Sequence, residues 1–89
     1  MEKSTIEYKG VKYTCVNIPA NKFLDCEDMD SSVMFTIADT RLWHALEKDI
    51  NNGDKEAEKI DEGVFFYVDE DMMEWTEPKI VNNINHSIE

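Results

Sequence analysis

The first third of the chain alternates apolar and polar residues, and this alternation constrains the fold more than any other sequence feature. If Lys9 and Gly10 form a two-residue turn, the flanking residues pair in one register. One face of that hairpin then carries the pairs Tyr8–Val11, Ile6–Tyr13 and Ser4–Cys15. The other face carries Glu7–Lys12, an ion pair, and Thr5–Thr14. Because a slip of one residue would mix the two faces, the sequence predicts an N-terminal β-hairpin that ends near Pro19.

A second strand signal is the apolar run Val64–Val68, which follows Gly63 and leads directly into Asp69. Five β-branched or aromatic residues in a row are typical of a strand that is covered on both faces. A buried helical segment could show the same run, but its length favours a strand. The run therefore predicts a central strand of the sheet that brings an acidic edge to the surface.

Further elements follow from local patterns. Val33–Ile37 predicts another strand, and Phe23 and Leu24 are expected to anchor the connection before it. Apolar residues recur at helical spacing in two stretches. The first stretch contains Leu42, Trp43, Leu46 and Ile50, with Asp39 or Thr40 as its cap and Gly53 at its end. The second contains Ile80, Val81, Ile84 and Ile88. A shorter helix capped by Asp54 is expected to run to about Ile60 and to bury Ala57 and Ile60.

These elements together predict an α+β fold for a single small domain over residues 1–89. We expect a four-stranded, largely antiparallel sheet that starts with the hairpin, with two to three helices packed on one face. Helical sequence connects the third and fourth strands, so these two could be parallel neighbours. The pattern does not fix the strand order.

The net charge of −11 is the most unusual property of the composition. Residues 1–24 carry four lysines and two glutamates, whereas residues 25–39 carry five acidic residues and no basic one. A field of this sign repels nucleic acid and anionic lipid and attracts basic protein surfaces, so we expect no direct nucleic-acid binding. No apolar run is long enough to span a membrane, and the N-terminus does not resemble a signal peptide. We therefore expect a cytoplasmic protein in which Cys15 and Cys26 are free thiols.

Two acid-rich stretches contain the candidate partner-binding residues. They are Asp25, Glu27, Asp28, Asp30, Asp69, Glu70, Asp71, Met72, Met73, Glu74 and Trp75. If the Met and Trp side chains are exposed beside the carboxylates, each stretch could dock on a basic protein surface with electrostatic steering. The sequence therefore favours a non-enzymatic interaction or inhibitor protein. In its sharpest form this hypothesis is a nucleic-acid mimic that occupies the phosphate-binding surface of its partner.

The alternative is an enzyme or small-ligand binder that uses surface carboxylates, with or without a divalent metal ion. No phosphate-binding loop or nucleophile motif supports it, and we expect no catalytic residue and no cofactor. The acids from Asp28 to Asp39 do not fit an EF-hand, because Val33 stands where the loop needs glycine. A structural role, or a role as a subunit of a homo-oligomer, also stays open.

Overall fold

The computed structural model describes residues 1–72 and 75–88 and contains one mixed sheet and three α-helices. The strands are β1 (Glu2–Tyr8), β2 (Val11–Pro19), β3 (Met34–Asp39) and β4 (Phe66–Val68), in the order β1-β2-β3-β4. The first three are antiparallel neighbours, and β4 lies parallel to β3. The predicted α+β class and the largely antiparallel sheet that begins with a hairpin are confirmed.

The hairpin has the predicted register, with Tyr8 opposite Val11 and Ser4 opposite Cys15. Lys9 and Gly10 both have positive φ angles, +49° and +80°, which is the signature of a type I′ turn. The tip of the hairpin is fixed to the first helix, because the Tyr8 hydroxyl donates to Asp49 and the Lys9 ammonium lies 2.8 Å from the same carboxylate. The hydrogen bond to Asp49 raises the pKa of Tyr8 to about 12.

The three helices are α1 (Thr40–Asn51), α2 (Lys55–Glu62) and α3 (Glu77–Ile88). Their ends follow the predicted signals. The Asp39 carboxylate caps α1 by accepting from the Arg41 amide, and the Asp54 carboxylate caps α2 by accepting from Glu56 and Ala57. Gly53, just after α1, has a φ of +85°, where a residue with a side chain would be strained.

The helices divide between the two faces of the sheet, whereas the sequence led us to place them all on one. Neighbouring residues of β2 point to opposite sides: Cys15 packs with α1 and α2, and Val16 packs with α3. β3 repeats this arrangement, with Ala38 facing α1 and Ile37 facing α3. The central strands are apolar on both sides, and two separate cores form because each side needs its own cover.

The apolar run Val64–Val68 was expected to be the central strand, and this prediction is wrong. Only its last three residues form β4, at the edge of the sheet, and Phe66 and Tyr67 are half-buried. Before β4, the half-buried Phe65 joins an aromatic cluster: its ring centroid lies 4.3 Å from that of Phe35 and 5.1 Å from that of Phe23. The third and fourth strands are parallel neighbours, the arrangement that their helical connection allowed.

Both cysteines of the chain are free thiols, as predicted, with Cys15 buried and Cys26 half-buried. Among the described residues, no helix combines the length and the apolar character that a membrane crossing requires.

Candidate functional site

The acids Asp69, Glu70 and Asp71, here called the 69–71 segment, follow directly after β4. A short 3-10 turn over Glu70–Met72 turns the chain back toward the sheet. The segment is held against the start of α1, where the Thr40 hydroxyl donates to the Asp69 carboxylate over 3.2 Å. The Arg41 guanidinium lies 3.5 Å from the carboxylate of Glu70. Although all three acids are exposed, two of them already have partners within the protein.

Beside this segment, Asp39 is the one buried charged residue in the part of the chain that the structure describes, with only 2% of its surface exposed. One carboxylate oxygen accepts from the Arg41 amide at 2.9 Å, and the other accepts from the guanidinium at 3.0 and 2.7 Å. Burial opposes ionisation of the Asp39 carboxyl, but the hydrogen bonds and the charge of Arg41 outweigh it and lower its pKa. Asp39 thus starts α1 and holds Arg41 in place, which is a structural role.

Sequence reasoning overlooked Arg41, which organises this end of the molecule. Its guanidinium joins the buried Asp39 to the exposed Glu70. The available signal was an arginine two residues after a helix-capping aspartate, a position from which its side chain can fold back onto the cap. As a result, the predicted acidic edge contains a bound positive charge.

Met72 and Trp75 were expected to be exposed contact residues, and the structure buries both. Met72 is 6% exposed and Trp75 is 5% exposed, and they pack in the core beneath α3 with Ile80 and Ile84. The chain passes from the sheet edge to the start of α3 at this point, so its apolar side chains enter the core between the two. The remaining candidates of this stretch, Met73 and Glu74, lie outside the described residues.

The other acid-rich stretch, residues 25–30, lies within a longer surface segment, residues 24–34, that combines acids with exposed apolar side chains. We call it the 24–34 segment. Its exposed apolar residues are Leu24 (42%), Met29 (39%), Val33 (37%) and Met34 (46%), four of the six large apolar side chains that are exposed in the described chain. Phe23 is fully buried, as expected, but the prediction that Leu24 is an anchor is wrong. The exposed apolar contacts that the hypothesis requires are therefore here.

Short turns give the 24–34 segment a defined shape. The Cys26 amide donates to the Phe23 carbonyl at 2.9 Å, and the Met29 amide donates to the Cys26 carbonyl at 2.9 Å. Further on, the Asp30 carboxylate accepts from the Ser32 amide at 2.9 Å, and this backbone hydrogen bond lowers the pKa of Asp30. The segment is also attached to α3, because the Leu24 amide donates to the Asn85 side chain at 3.0 Å.

The other three acids of the 24–34 segment have no interaction partner among the described residues. In the described part of the chain, the carboxylates of Asp25, Glu27 and Asp28 make no hydrogen bond and no ion pair, and all three are exposed. The segment also contains no basic residue. Its negative charge is therefore available to an external partner.

The two acidic segments lie at opposite ends of β3. The 24–34 segment belongs to the connection that joins the end of β2 at Pro19 to the start of β3 at Met34, and these two residues pair. The 69–71 segment follows Val68, which pairs with Asp39 at the other end of β3. A strand of this length spans roughly 20 Å. The predicted partner-binding residues are thus divided between two sites.

The structure also locates the groups that an enzyme would need. Across residues 1–72 and 75–88, no three His, Cys, Asp or Glu side chains lie close enough together to hold one metal ion. His44 is exposed on α1. A hollow of about 200 Å³ lies next to Arg41, with Lys3 and Thr14 on its far side. That volume is below the range of about 300–1,000 Å³ that is typical of small-molecule sites, whereas the hollow over the 69–71 segment, beside Thr40 and His44, measures about 330 Å³ and lies at the lower end of that range.

Comparison with known proteins did not identify relatives. No protein-family model matches the chain, and neither a search of curated proteins nor a search of solved structures gave a match.

Proposed function

We propose that this protein is a non-enzymatic interaction protein that docks on a basic surface of a protein partner through the 24–34 segment. One observation carries the proposal: uncommitted acids and exposed apolar side chains occur together in one ordered segment. Asp25, Glu27 and Asp28 have no partner among the described residues, and Met29 and Met34 are 39% and 46% exposed.

The two kinds of residue have different roles in such an interface. The carboxylates attract a basic surface and orient it during approach, and they contribute mainly to the association rate. The methionine and leucine side chains supply the apolar contact area on which affinity depends, and methionine adapts to irregular surfaces. Because short turns order the segment before binding, little conformational entropy is lost when the partner docks.

In a sharper form of the proposal, the protein is an inhibitor that mimics nucleic acid on its partner. The net charge of −11 supports this form. The separation of the two acidic segments does not favour it, because a mimic of the phosphate backbone presents charge along one continuous surface. The docking proposal itself needs only the 24–34 segment.

Affinity capture with matched charge variants tests the proposal. The whole chain is immobilised and exposed to an extract of the cells that produce it, and captured proteins are quantified by mass spectrometry. Two variants lose the same charge at different ends of the molecule: D25N/E27Q/D28N in the 24–34 segment and D69N/E70Q/D71N in the 69–71 segment. A third variant, Met29→Ser, keeps every charge and removes one apolar contact.

We expect the unmodified chain to capture a basic protein, and we expect D69N/E70Q/D71N to capture the same protein equally well. D25N/E27Q/D28N should lose most of this capture, and Met29→Ser should reduce it at unchanged net charge. Capture should also weaken as salt is raised, because exposed charges are screened beyond a Debye length of about 8 Å at physiological ionic strength. Equal loss with both triple variants would show general attraction to negative charge and would contradict a specific site.

The same experiment decides the mimic form. If oligonucleotides displace the captured protein from the bound chain, the two compete for one surface on that protein. If they do not, the docking proposal stands without mimicry.

A further inference from the structure

Among the residues that the structure describes, nothing pairs with the outer edge of β1, which is a free strand edge over the whole length of the strand. β1 is the first strand in the sheet order and pairs on one side only, with β2. The opposite edge of the sheet, β4, has only three residues. An unpaired strand edge offers a row of backbone donors and acceptors to another strand.

The turn fixes which backbone groups of β1 point outward. Tyr8 and Val11 flank the two-residue turn, so they form a hydrogen-bonded pair, and alternate residues of β1 pair with β2 in the same way. The residues between them, Lys3, Thr5 and Glu7, direct their N–H and C=O groups away from β2. Within the described residues these groups have no hydrogen-bond partner, and the three side chains are exposed.

We propose that this edge binds the same edge of a second copy of the chain, so that two antiparallel β1 strands join the two sheets into one. If the two-fold axis passes through Thr5, Thr5 faces Thr5 of the second copy, and Lys3 faces Glu7 of the second copy. The same contact occurs twice because of the symmetry. The outward backbone groups of these residues then pair with one another.

The charges of β1 select this register. Directly opposed residues share a face of the sheet, and opposite charges there stabilise the pair, whereas like charges destabilise it. A shift of two residues in either direction separates Lys3 from Glu7, and one of the two shifts sets Lys3 opposite Lys9. The register centred on Thr5 also pairs all residues of Glu2–Tyr8.

Charge distribution explains why two molecules with a net charge of −11 would meet at this edge. Residues 1–24 carry four lysines and two glutamates, so the hairpin is the mildly basic part of an otherwise acidic chain. Two copies that approach through β1 meet at this mildly basic part of the chain, although Glu70 lines the same hollow as Lys3. Approach through either the 24–34 or the 69–71 segment would bring like charges together.

Sedimentation equilibrium of the whole chain over a wide concentration range tests the proposal with a charge swap. Lys3→Glu replaces the two opposite-charge contacts by like-charge contacts, and we expect it to weaken association by about 10-fold or more. Glu7→Lys should weaken association similarly, but it also sets two lysines opposite each other within the hairpin, at positions 7 and 12. The double variant K3E/E7K restores the opposite charges and should restore association. Lys55→Glu, on the exposed side of α2, controls for the net charge change of Lys3→Glu.

Thr5→Pro provides a second, independent variant. Proline removes the outward N–H of Thr5, which the hairpin does not use, and proline is tolerated on an edge strand when that N–H faces solvent. We expect loss of association with an unchanged circular dichroism spectrum. Hydrogen exchange gives the direct reading, since the amides of Lys3, Thr5 and Glu7 should become protected as the concentration rises.

Three results overturn the proposal. The first is a chain that stays monomeric at its highest soluble concentration. The second is a dimer whose stability does not change with Lys3→Glu, Glu7→Lys or Thr5→Pro. The third is protection of these three amides that does not depend on concentration.

Discussion

The 24–34 and 69–71 segments have similar compositions, but they differ in whether their acids have partners and whether the nearby apolar side chains are exposed. Each carries several acids close to methionine, so from sequence both are candidate docking surfaces. At the 69–71 segment the apolar neighbours Met72 and Trp75 enter the core, and Thr40 and Arg41 contact the acids. At the 24–34 segment Met29 is exposed and three acids have no partner among the described residues. The availability of the apolar side chains, and not the acidity, distinguishes the proposed docking surface from a connection.

The difference has a physical cause in the route of the chain. After β4 the chain must leave the sheet edge and begin α3, which covers the face on which Val16 and Ile37 lie. Met72 and Trp75 lie between these elements and become part of the core. The 24–34 segment connects β2 to β3 and enters the sheet only at Met34. Phe23, just before it, is buried in the core, whereas the large apolar residues of the segment are exposed.

The strongest test of this comparison is to truncate one methionine in the 24–34 segment and one directly after the 69–71 segment. Met72→Ala removes a side chain that is 6% exposed and should lower the free energy of unfolding by about 2–5 kcal/mol. Met29→Ala removes one that is 39% exposed and should change it by no more than about 0.5 kcal/mol. Urea denaturation measures both. Similar losses from the two variants would mean that the segments do not differ as described.

A smaller effect is expected for the capping carboxylate beside the 69–71 segment. Asp39→Ala should lower the free energy of unfolding by about 1–2 kcal/mol, because the Arg41 amide and guanidinium lose their acceptor. Asp28→Ala, in the 24–34 segment, removes a carboxylate with no partner in the described chain and should have little effect. Thermal or urea unfolding at neutral pH compares the two.

The pH dependence of Asp39→Ala follows from the lowered pKa of Asp39. The folded-state pKa lies below the unfolded value of about 3.9, so the stabilisation is fully present well above pH 3.9. It is lost as pH falls through the lowered pKa, where the folded carboxyl takes up its proton. The stabilities of the unmodified chain and the variant should therefore converge in acid. A constant difference down to the acid limit would contradict the ionic role of Asp39.

Thr40→Val tests the hydrogen bond that attaches the 69–71 segment to α1. The variant keeps the β-branched shape and removes the hydroxyl that donates to Asp69 over 3.2 Å. Because the bond is exposed, we expect a loss near the lower end of the usual range, about 0.5 kcal/mol. Faster hydrogen exchange confined to the amides of residues 69–72 would show that the segment is released. Unchanged exchange there would argue against an attachment through Thr40.

The smallest effect should come from the exposed ion pair of the 69–71 segment. Glu70→Gln removes the partner 3.5 Å from Arg41 and should lower the urea midpoint slightly at low salt and not at high salt. Glu27→Gln is the matched change in the 24–34 segment, where it removes only repulsion between acids. Its midpoint should stay the same or rise at low salt. A fall of equal size in both variants would mean that Glu27 has a partner as well.

Elements that depend on nearby residues could be predicted from the sequence. The hairpin register followed from paired alternation around Lys9 and Gly10, and Asp54 and Gly53 marked the boundary between α1 and α2. These signals succeed because a turn, a cap or a helical face involves residues a few positions apart. The acids of both segments were also located on the surface, since an uncompensated carboxylate stays in water.

Predictions that depended on which elements meet were less successful. The apolar run Val64–Val68 has the composition of a central strand, yet only its last three residues form a strand, at the sheet edge, and Phe65 packs against Phe23 and Phe35. Met72 and Trp75 were placed on the surface because their sequence neighbours are acids. In both cases the environment of the side chain comes from residues distant in sequence, which local patterns do not report.

The sequence by itself determined the hairpin, the three helices and the strongly acidic character of this protein. The hairpin and the helices depend on the spacing of nearby residues, and the acidic character depends on the number of charged residues. Only the tertiary structure decided that the helices cover both faces of the sheet, that the two acidic segments lie at opposite ends of β3, and that the exposed apolar residues belong to the 24–34 segment. The physical reason is that burial depends on the whole packing arrangement. A methionine among acids becomes a core residue or a surface residue according to the path of the chain around it.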